Sequence, residues 1–192
     1  MMVHKVVVEK PFFPSPGGQK MTQSTGLYQQ IVAWARHPYF YTDLAIMDHV
    51  LTRFELLSLH LGLLMRRFSH ERGICQILAD SLVWDLDACL RDLPISDWRV
   101  GREVKRLAQA FYGRLRALDL ALRHKNEDAI LGILERNLYI HSPQTPVACK
   151  MQLVKYTSFL DVWLSGESAA SLITKLPMIS FRKVQTKEDE DK

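Results

Sequence analysis

Apolar residues recur at helical spacing through most of the chain, and the densest such stretch runs from Asp48 to Phe68. At about 3.6 residues per turn, Met47, Val50, Leu51, Phe54, Leu57, Leu61, Leu64, Met65 and Phe68 share one face. Leu56, Leu59 and Leu63 form a second stripe nearly opposite. A helix that is apolar on both sides has to be covered on both sides, by protein or by lipid. Arg53 and Glu55 near its start and Arg66 and Arg67 near its end leave an uncharged run of about 10 residues, whereas a membrane span needs ~20. The pattern therefore predicts the central helix of a bundle, buried near residues 48–68.

The flanking segments repeat the helical period. Ser24 or Thr25 can cap a helix carrying Leu27, Ile31, Val32 and Trp34, which ends near Arg36 because Pro38 disfavours helical geometry at His37. The aromatic loop HPYFYTD is expected to fold back as a hydrophobic lid. Residues 74–92 turn Ile74, Leu78, Leu82, Leu86 and Cys89 inward, with Asp85 in the middle of that stripe and Asp80, Trp84, Asp87 and Arg91 on the opposite face. Residues 98–123, capped by Ser96 or Asp97, carry a regular stripe of Val100, Val104, Leu107, Phe111, Leu115, Leu118 and Leu122. Asn126 caps a shorter helix with Ala129, Ile130, Ile133, Leu134 and Leu138. A helix over about 147–165 follows, with Cys149, Leu153, Tyr156, Leu160, Trp163 and Leu164 on one face, and a short one over 168–175. The prediction is an all-α, single-domain helical bundle of about six to eight helices over 24–181. The Pro- and Gly-rich residues 1–23 are expected to form a flexible arm, and the charged residues 182–192 a disordered tail.

Composition narrows the class. A 192-residue chain with 47% hydrophobic residues can bury a substantial core. A net charge of +4 is far short of a dedicated nucleic-acid binder. Cys75 and Cys89 lie on one predicted helix roughly 21 Å apart, so they cannot pair there. With three cysteines and no secretory signal, a reducing compartment is expected. The first twenty residues lack the Arg- and Ser-rich character of a transit peptide, and either Met1 or Met21 could begin the native chain.

No phosphate loop, nucleophile elbow, HExxH, CxxC or dinucleotide fingerprint is present. The expectation is no catalytic residue, no metal site and no cofactor. His60 reads as a core histidine, since no Glu-x-x-His pair supports it as a ligand, and His49 as a surface residue beside Asp48. Asp85 needs a partner if it is buried, with Arg53, Arg114 or His60 as candidate donors; these four are expected to form a structural polar network. From Asp97 to Lys125 eight cations stand against three acids, a net of +5, and Gly113 interrupts that basic face. Glycine costs a helix about 1 kcal/mol relative to alanine, so a close approach to the backbone is expected there. The face could meet RNA, anionic lipid or an acidic protein, or simply be solvated.

Several longer motifs then follow one another in a specific order: ARHPYFY, RFELLSLHLGLLMRR, WDLDACLRDL, SDWRVGREVKRLAQAFYGRLRAL and LERNLY. Over about residues 27–140, and more weakly through YTSFLDVWLSG to PMISF, this order resembles the ubiquinol–cytochrome c chaperone family, assembly factors of respiratory complex III. The matching positions include Arg53, Phe54, Leu59, His60, Asp85, Asp87, Arg91, Val100, Gly101, Phe111, Tyr112, Gly113 and Arg114. The resemblance implies a helical bundle without enzymatic activity that binds newly synthesised cytochrome b. It implies action near the ribosomal exit tunnel and, in mitochondrial relatives, a small partner protein. A bacterial member, in the cytoplasm and peripheral to an anionic membrane, is expected, with the matrix side of the mitochondrial inner membrane as the alternative. The outward residues Trp84, Asp87, Arg91, Arg102, Lys105, Arg106, Tyr112, Gly113 and Arg116 are the candidates for client or membrane contact. A helical RNA-binding or ribosome-associated protein using the same basic face is the competing class.

Overall fold

The computed structural model describes residues 24–174; the expectations for the arm at 1–23 and for 175–192 lie outside the described residues, as do the side chains of Ser24 and Thr25. The described chain forms eight helices: α1 (Ser24–Ala35), α2 (Tyr39–Thr42), α3 (Val50–Arg67), α4 (Arg72–Arg91), α5 (Asp97–Arg123), α6 (Glu127–Asn137), α7 (Val147–Gly166) and α8 (Ala169–Thr174). No strand occurs among the described residues. The all-α bundle read from the periodicity is the observed fold.

Helix α3 is the centre. It packs against α1, α4, α5 and α7, and every residue from Phe54 to Met65 is buried. Its start is set by a reciprocal cap: the Leu51 N–H donates to His49 Nδ1 at 3.3 Å and the His49 N–H donates to Thr52 Oγ1 at 3.1 Å. At its far end Arg67 donates to the Leu164 and Glu167 carbonyls at 2.9 and 2.7 Å, satisfying acceptors that the end of α7 leaves open. Asn126 caps α6 as expected, accepting from the Ala129 N–H at 2.9 Å. Ser96 occupies the position before α5 but its side chain makes no capping bond.

The aromatic loop becomes the single turn α2. Phe40 is fully buried and stands edge-on to His60 and Tyr156, at 5.2 and 5.3 Å between ring centroids. No disulfide joins Cys75, Cys89 or Cys149.

Two expectations are corrected. Met47, Val50 and Leu51 fall on the inward face by periodicity but are 45%, 47% and 44% exposed. They belong to the approach and first turn of α3, where Ile46, Thr52 and Phe54 are the buried positions instead. Gly113 has no close contact: a Cβ built there meets nothing within 4 Å. Close packing against a glycine occurs instead at Gly62 of α3, where Leu115 Cδ1 from α5 would lie 3.4 Å from a Cβ.

Candidate functional site

The inward face of α5 closes the core through Val100, Val104, Phe111, Leu118 and Leu122. Because α5 runs 27 residues, a second face of equal length is left outside. Along it Trp98, Arg102, Lys105, Gln109, Tyr112, Arg116, Leu120 and Arg123 recur at three- and four-residue spacing, and all are exposed. Trp98, Tyr112 and Leu120 are 65%, 50% and 59% exposed, so large apolar groups alternate with cations instead of being tucked away. Arg102 and Arg99 lie over the Trp98 ring at 5.1 and 5.4 Å from its centroid. Arg106 is tied to Glu103 at 2.6 Å, a hydrogen bond that holds the Glu103 carboxyl below its ordinary range. Lys105 and Arg116 make neither an ion pair nor a hydrogen bond among the described residues.

Towards the C-terminal half of α5 this stripe borders a groove of about 400 Å³ between the end of α3, the start of α4 and α5. Met65, Leu115 and Cys75 contribute its apolar lining. The Cys75 thiol donates back to the Phe68 carbonyl at 3.2 Å. Its polar lining is Arg66, Ser69, Tyr112, Arg116, Asp119 and Arg123. Arg66 is braced from two helices, donating to Asp161 of α7 at 2.8 Å and to Asp119 of α5. Burial works against its charge, but the bonds to Asp161 and Asp119 carry the guanidinium pKa above its ordinary value. Asp119 also accepts Arg123 at 2.9 Å.

On α4, Trp84 is 55% exposed, and Arg91 pairs with Asp87 at 2.6 Å and lies 3.7 Å from Asp97 at the head of α5. Its hydrogen bond to the Asp87 carboxylate raises the Arg91 pKa. The nine residues singled out for client or membrane contact therefore stand on the outer surfaces of two packed helices, most of them exposed. Trp98, Leu120 and the groove residues Arg66, Ser69, Asp119 and Arg123 were missed. The signal for the first two was a second stripe on α5 at the same period as the core stripe.

The four residues expected to form one polar network are instead dispersed. Arg53 pairs with Asp48 at 2.6 Å on the surface. Arg114 crosses from α5 to the buried Glu55 of α3 at 2.6 Å and donates to Asn137 of α6 at 2.9 Å. Burial pushes the Glu55 carboxyl up to about 7 despite that arginine. A cavity of about 30 Å³ adjoins this pair and faces Ser58 and Asn137. His60 is buried, with Nδ1 2.7 Å from the Leu56 carbonyl and Nε2 2.8 Å from the Tyr156 hydroxyl. A carbonyl can only accept, so Nδ1 carries the proton and Nε2 accepts from Tyr156. Burial lowers the His60 pKa to about 4 and fixes the ring as neutral.

Asp85 is buried as predicted but faces α1 and not any of the three proposed donors. Burial raises its pKa to about 6, opposed by the Tyr28 hydroxyl and the Arg36 cation. By strict geometry the Tyr28 hydroxyl still makes no full hydrogen bond, so it donates only loosely. No group of three or more metal-binding side chains occurs among the described residues. No described helix is long and apolar enough to cross a membrane.

The sequence matches the family described as ubiquinol-cytochrome C chaperone over residues 42–178, which takes in α3 to α8 and both faces of α5. Among curated proteins none matches. Among solved structures, the crystal structure of the Cbp3 homolog from Brucella abortus is similar at 30% identity and a TM-score of 0.74, covering 84% of this chain and 91% of that one. With a family match across most of the bundle and a solved relative of the same fold, the chain belongs to the ubiquinol–cytochrome c chaperone family.

Proposed function

We propose that this protein is a non-enzymatic assembly chaperone of ubiquinol–cytochrome c reductase that binds newly synthesised cytochrome b at an anionic membrane surface. Family membership supports the coarser statement, a chaperone serving that complex. The observation that carries the finer one is the outer stripe of α5, where exposed Trp98, Tyr112 and Leu120 alternate with Arg102, Lys105, Arg116 and Arg123. Exposed aromatics supply contact area that a partner can desolvate, and exposed cations, Lys105 and Arg116 among them without an ion pair in the described residues, suit a client emerging beside anionic lipid. The partner acts through surface complementarity, and no step of the proposed role requires a catalytic group.

The test is affinity capture of the tagged protein from its own host in mild detergent, with mass spectrometry of what comes with it. The expected result is unassembled cytochrome b, recovered in lower yield with the double variant Lys105→Glu, Arg116→Glu. The net charge of +5 from Asp97 to Lys125 favours one competing reading, a ribosome- or RNA-associated protein. Recovery of ribosomal RNA or ribosomal proteins without cytochrome b, weakening steeply with salt, would transfer the role to that class.

A further inference from the structure

The geometry points to the groove between α3, α4 and α5 as a binding site for the phosphate headgroup of an anionic phospholipid, with the stripe of α5 lying along the bilayer. This rests on the membrane-facing reading of that stripe and adds a defined recognition site to it.

The lining sets three guanidiniums, Arg66, Arg116 and Arg123, against one carboxylate, Asp119. That carboxylate is shared between Arg66 and Arg123, and Asp161 holds Arg66 from a third helix. A guanidinium carries five N–H donors in a fixed fork. Asp119 and Asp161 engage Nε and Nη1 of Arg66, and Asp119 engages Nε of Arg123, so these contacts orient the forks and leave further donors on each. Arg116 is the third cation of the lining and is engaged by no described residue. Arginine forks match phosphate oxygens in the way they match carboxylates, and here they are held in place before any ligand arrives.

Beneath the cations the lining turns apolar at Met65 and Leu115, and at the rim stand the exposed hydroxyls of Ser69 and Tyr112. A free phosphate has no use for an apolar floor. A glycerophospholipid does, because the carbons next to its phosphate must be covered as well. The volume of about 400 Å³ lies within the range that accommodates a small ligand. Tyr112 at the rim and Leu120 beyond it continue the stripe on both sides of Arg116, and Trp98 lies further along it. Tyrosine and tryptophan rings of this kind seat at the headgroup level of a bilayer.

The experiment is flotation of the purified full chain with phosphatidylcholine vesicles, with and without phosphatidylglycerol, in the absence of any client. Binding is expected only to the anionic vesicles. Arg116→Glu should bind about tenfold more weakly, the effect of reversing one cation at an anionic surface. Arg136→Glu makes the same charge change at an exposed position on α6 and should alter binding by less than about twofold. Arg116→Gln, which removes the fork without adding a charge, should fall between them. Equal losses for Arg116→Glu and Arg136→Glu would reduce the effect to net charge and overturn the site. Displacement of vesicles by inorganic phosphate at matched ionic strength would overturn the lipid source in favour of a free anion. Binding of an RNA homopolymer through Arg116, with no vesicle binding, would overturn it as well. The readout contains no client and the capture experiment contains no bilayer, so failure of one is separate from failure of the other.

Discussion

Arg114 and Arg116 stand two residues apart on α5 and meet opposite surroundings. Arg114 turns inward to a buried carboxylate and an amide on two other helices, and its guanidinium also lies over the Phe54 ring, 5.8 Å from the centroid. Arg116 turns outward into the groove and is engaged by nothing in the described chain. Three buried polar or charged groups are matched: Glu55 to Arg114, His60 to Tyr156, Lys150 to Glu135. Along the outer stripe Lys105 and Arg116 are engaged by no described residue. An unmatched charge in the core costs stability, while an unmatched charge at the surface is nearly free and stays available to a partner.

Substitutions should separate the two environments, and the largest effect belongs inside. Arg114→Met strands Glu55 among apolar side chains and should lower unfolding stability by about 3–5 kcal/mol in urea titrations. The loss should be greater above than below about pH 7, because Glu55 escapes by taking a proton only at the lower pH. A loss under about 1 kcal/mol at high pH would mean that the pair is solvated and the contrast with Arg116 is false.

Next in size is the pH dependence carried by Asp85. Its pKa rises on folding from 3.8 to about 6, so between those values the folded state holds the extra proton and stability falls as pH rises. The contribution is complete below the lower value and lost above the upper one, and amounts to about 2–3 kcal/mol. Glu55 acts in the same direction up to about pH 7, and His60, lowered to about 4, acts in the opposite one. The difference between the protein and Asp85→Asn isolates the slope, and parallel curves would place Asp85 in water. Tyr156→Phe removes the hydroxyl that donates to His60 Nε2 and should cost about 1–3 kcal/mol, read as a lowered melting temperature. Gly113→Ala fills open space on an exposed helical face and should stabilise the bundle by up to about 1 kcal/mol. Smallest of all, Lys105→Glu with Arg116→Glu should leave stability within about 0.5 kcal/mol while reducing capture of cytochrome b, the reverse of the Arg114 result.

What the sequence disclosed was whatever repeats locally. The period of α5 located its core face, the double stripe of α3 required burial on both sides, and Asn126 announced its own cap. Misreadings arose wherever a neighbour mattered. Periodicity gives a direction from the helix axis but not whether another helix lies there, which is why Met47, Val50 and Leu51 were turned inward and are exposed. Asp85 was legible as a buried acid, but its neighbours Tyr28 of α1 and Arg36 just past that helix stand some fifty residues earlier, and helix pairing is not written in spacing. The groove was invisible for the same reason, since α3, α4 and α5 each contribute a few unremarkable residues. For the candidate contact residues the basic face was legible, and the same spacing already placed Trp98 and Leu120 on it, a signal that counting charges alone passed over.

Arg66 has a consequence beyond stability. By reaching Asp119 on α5 and Asp161 on α7 it joins three helix axes at one guanidinium, and α5 cannot roll about its own axis without breaking that joint. A roll by one residue, about 100°, would exchange the outer stripe for a flank of the core face. The bearing of Trp98, Lys105, Tyr112 and Arg116 is therefore set by a joint that lies beside their own stripe, one turn from Arg116, so that a partner meets a surface whose compass direction is already decided.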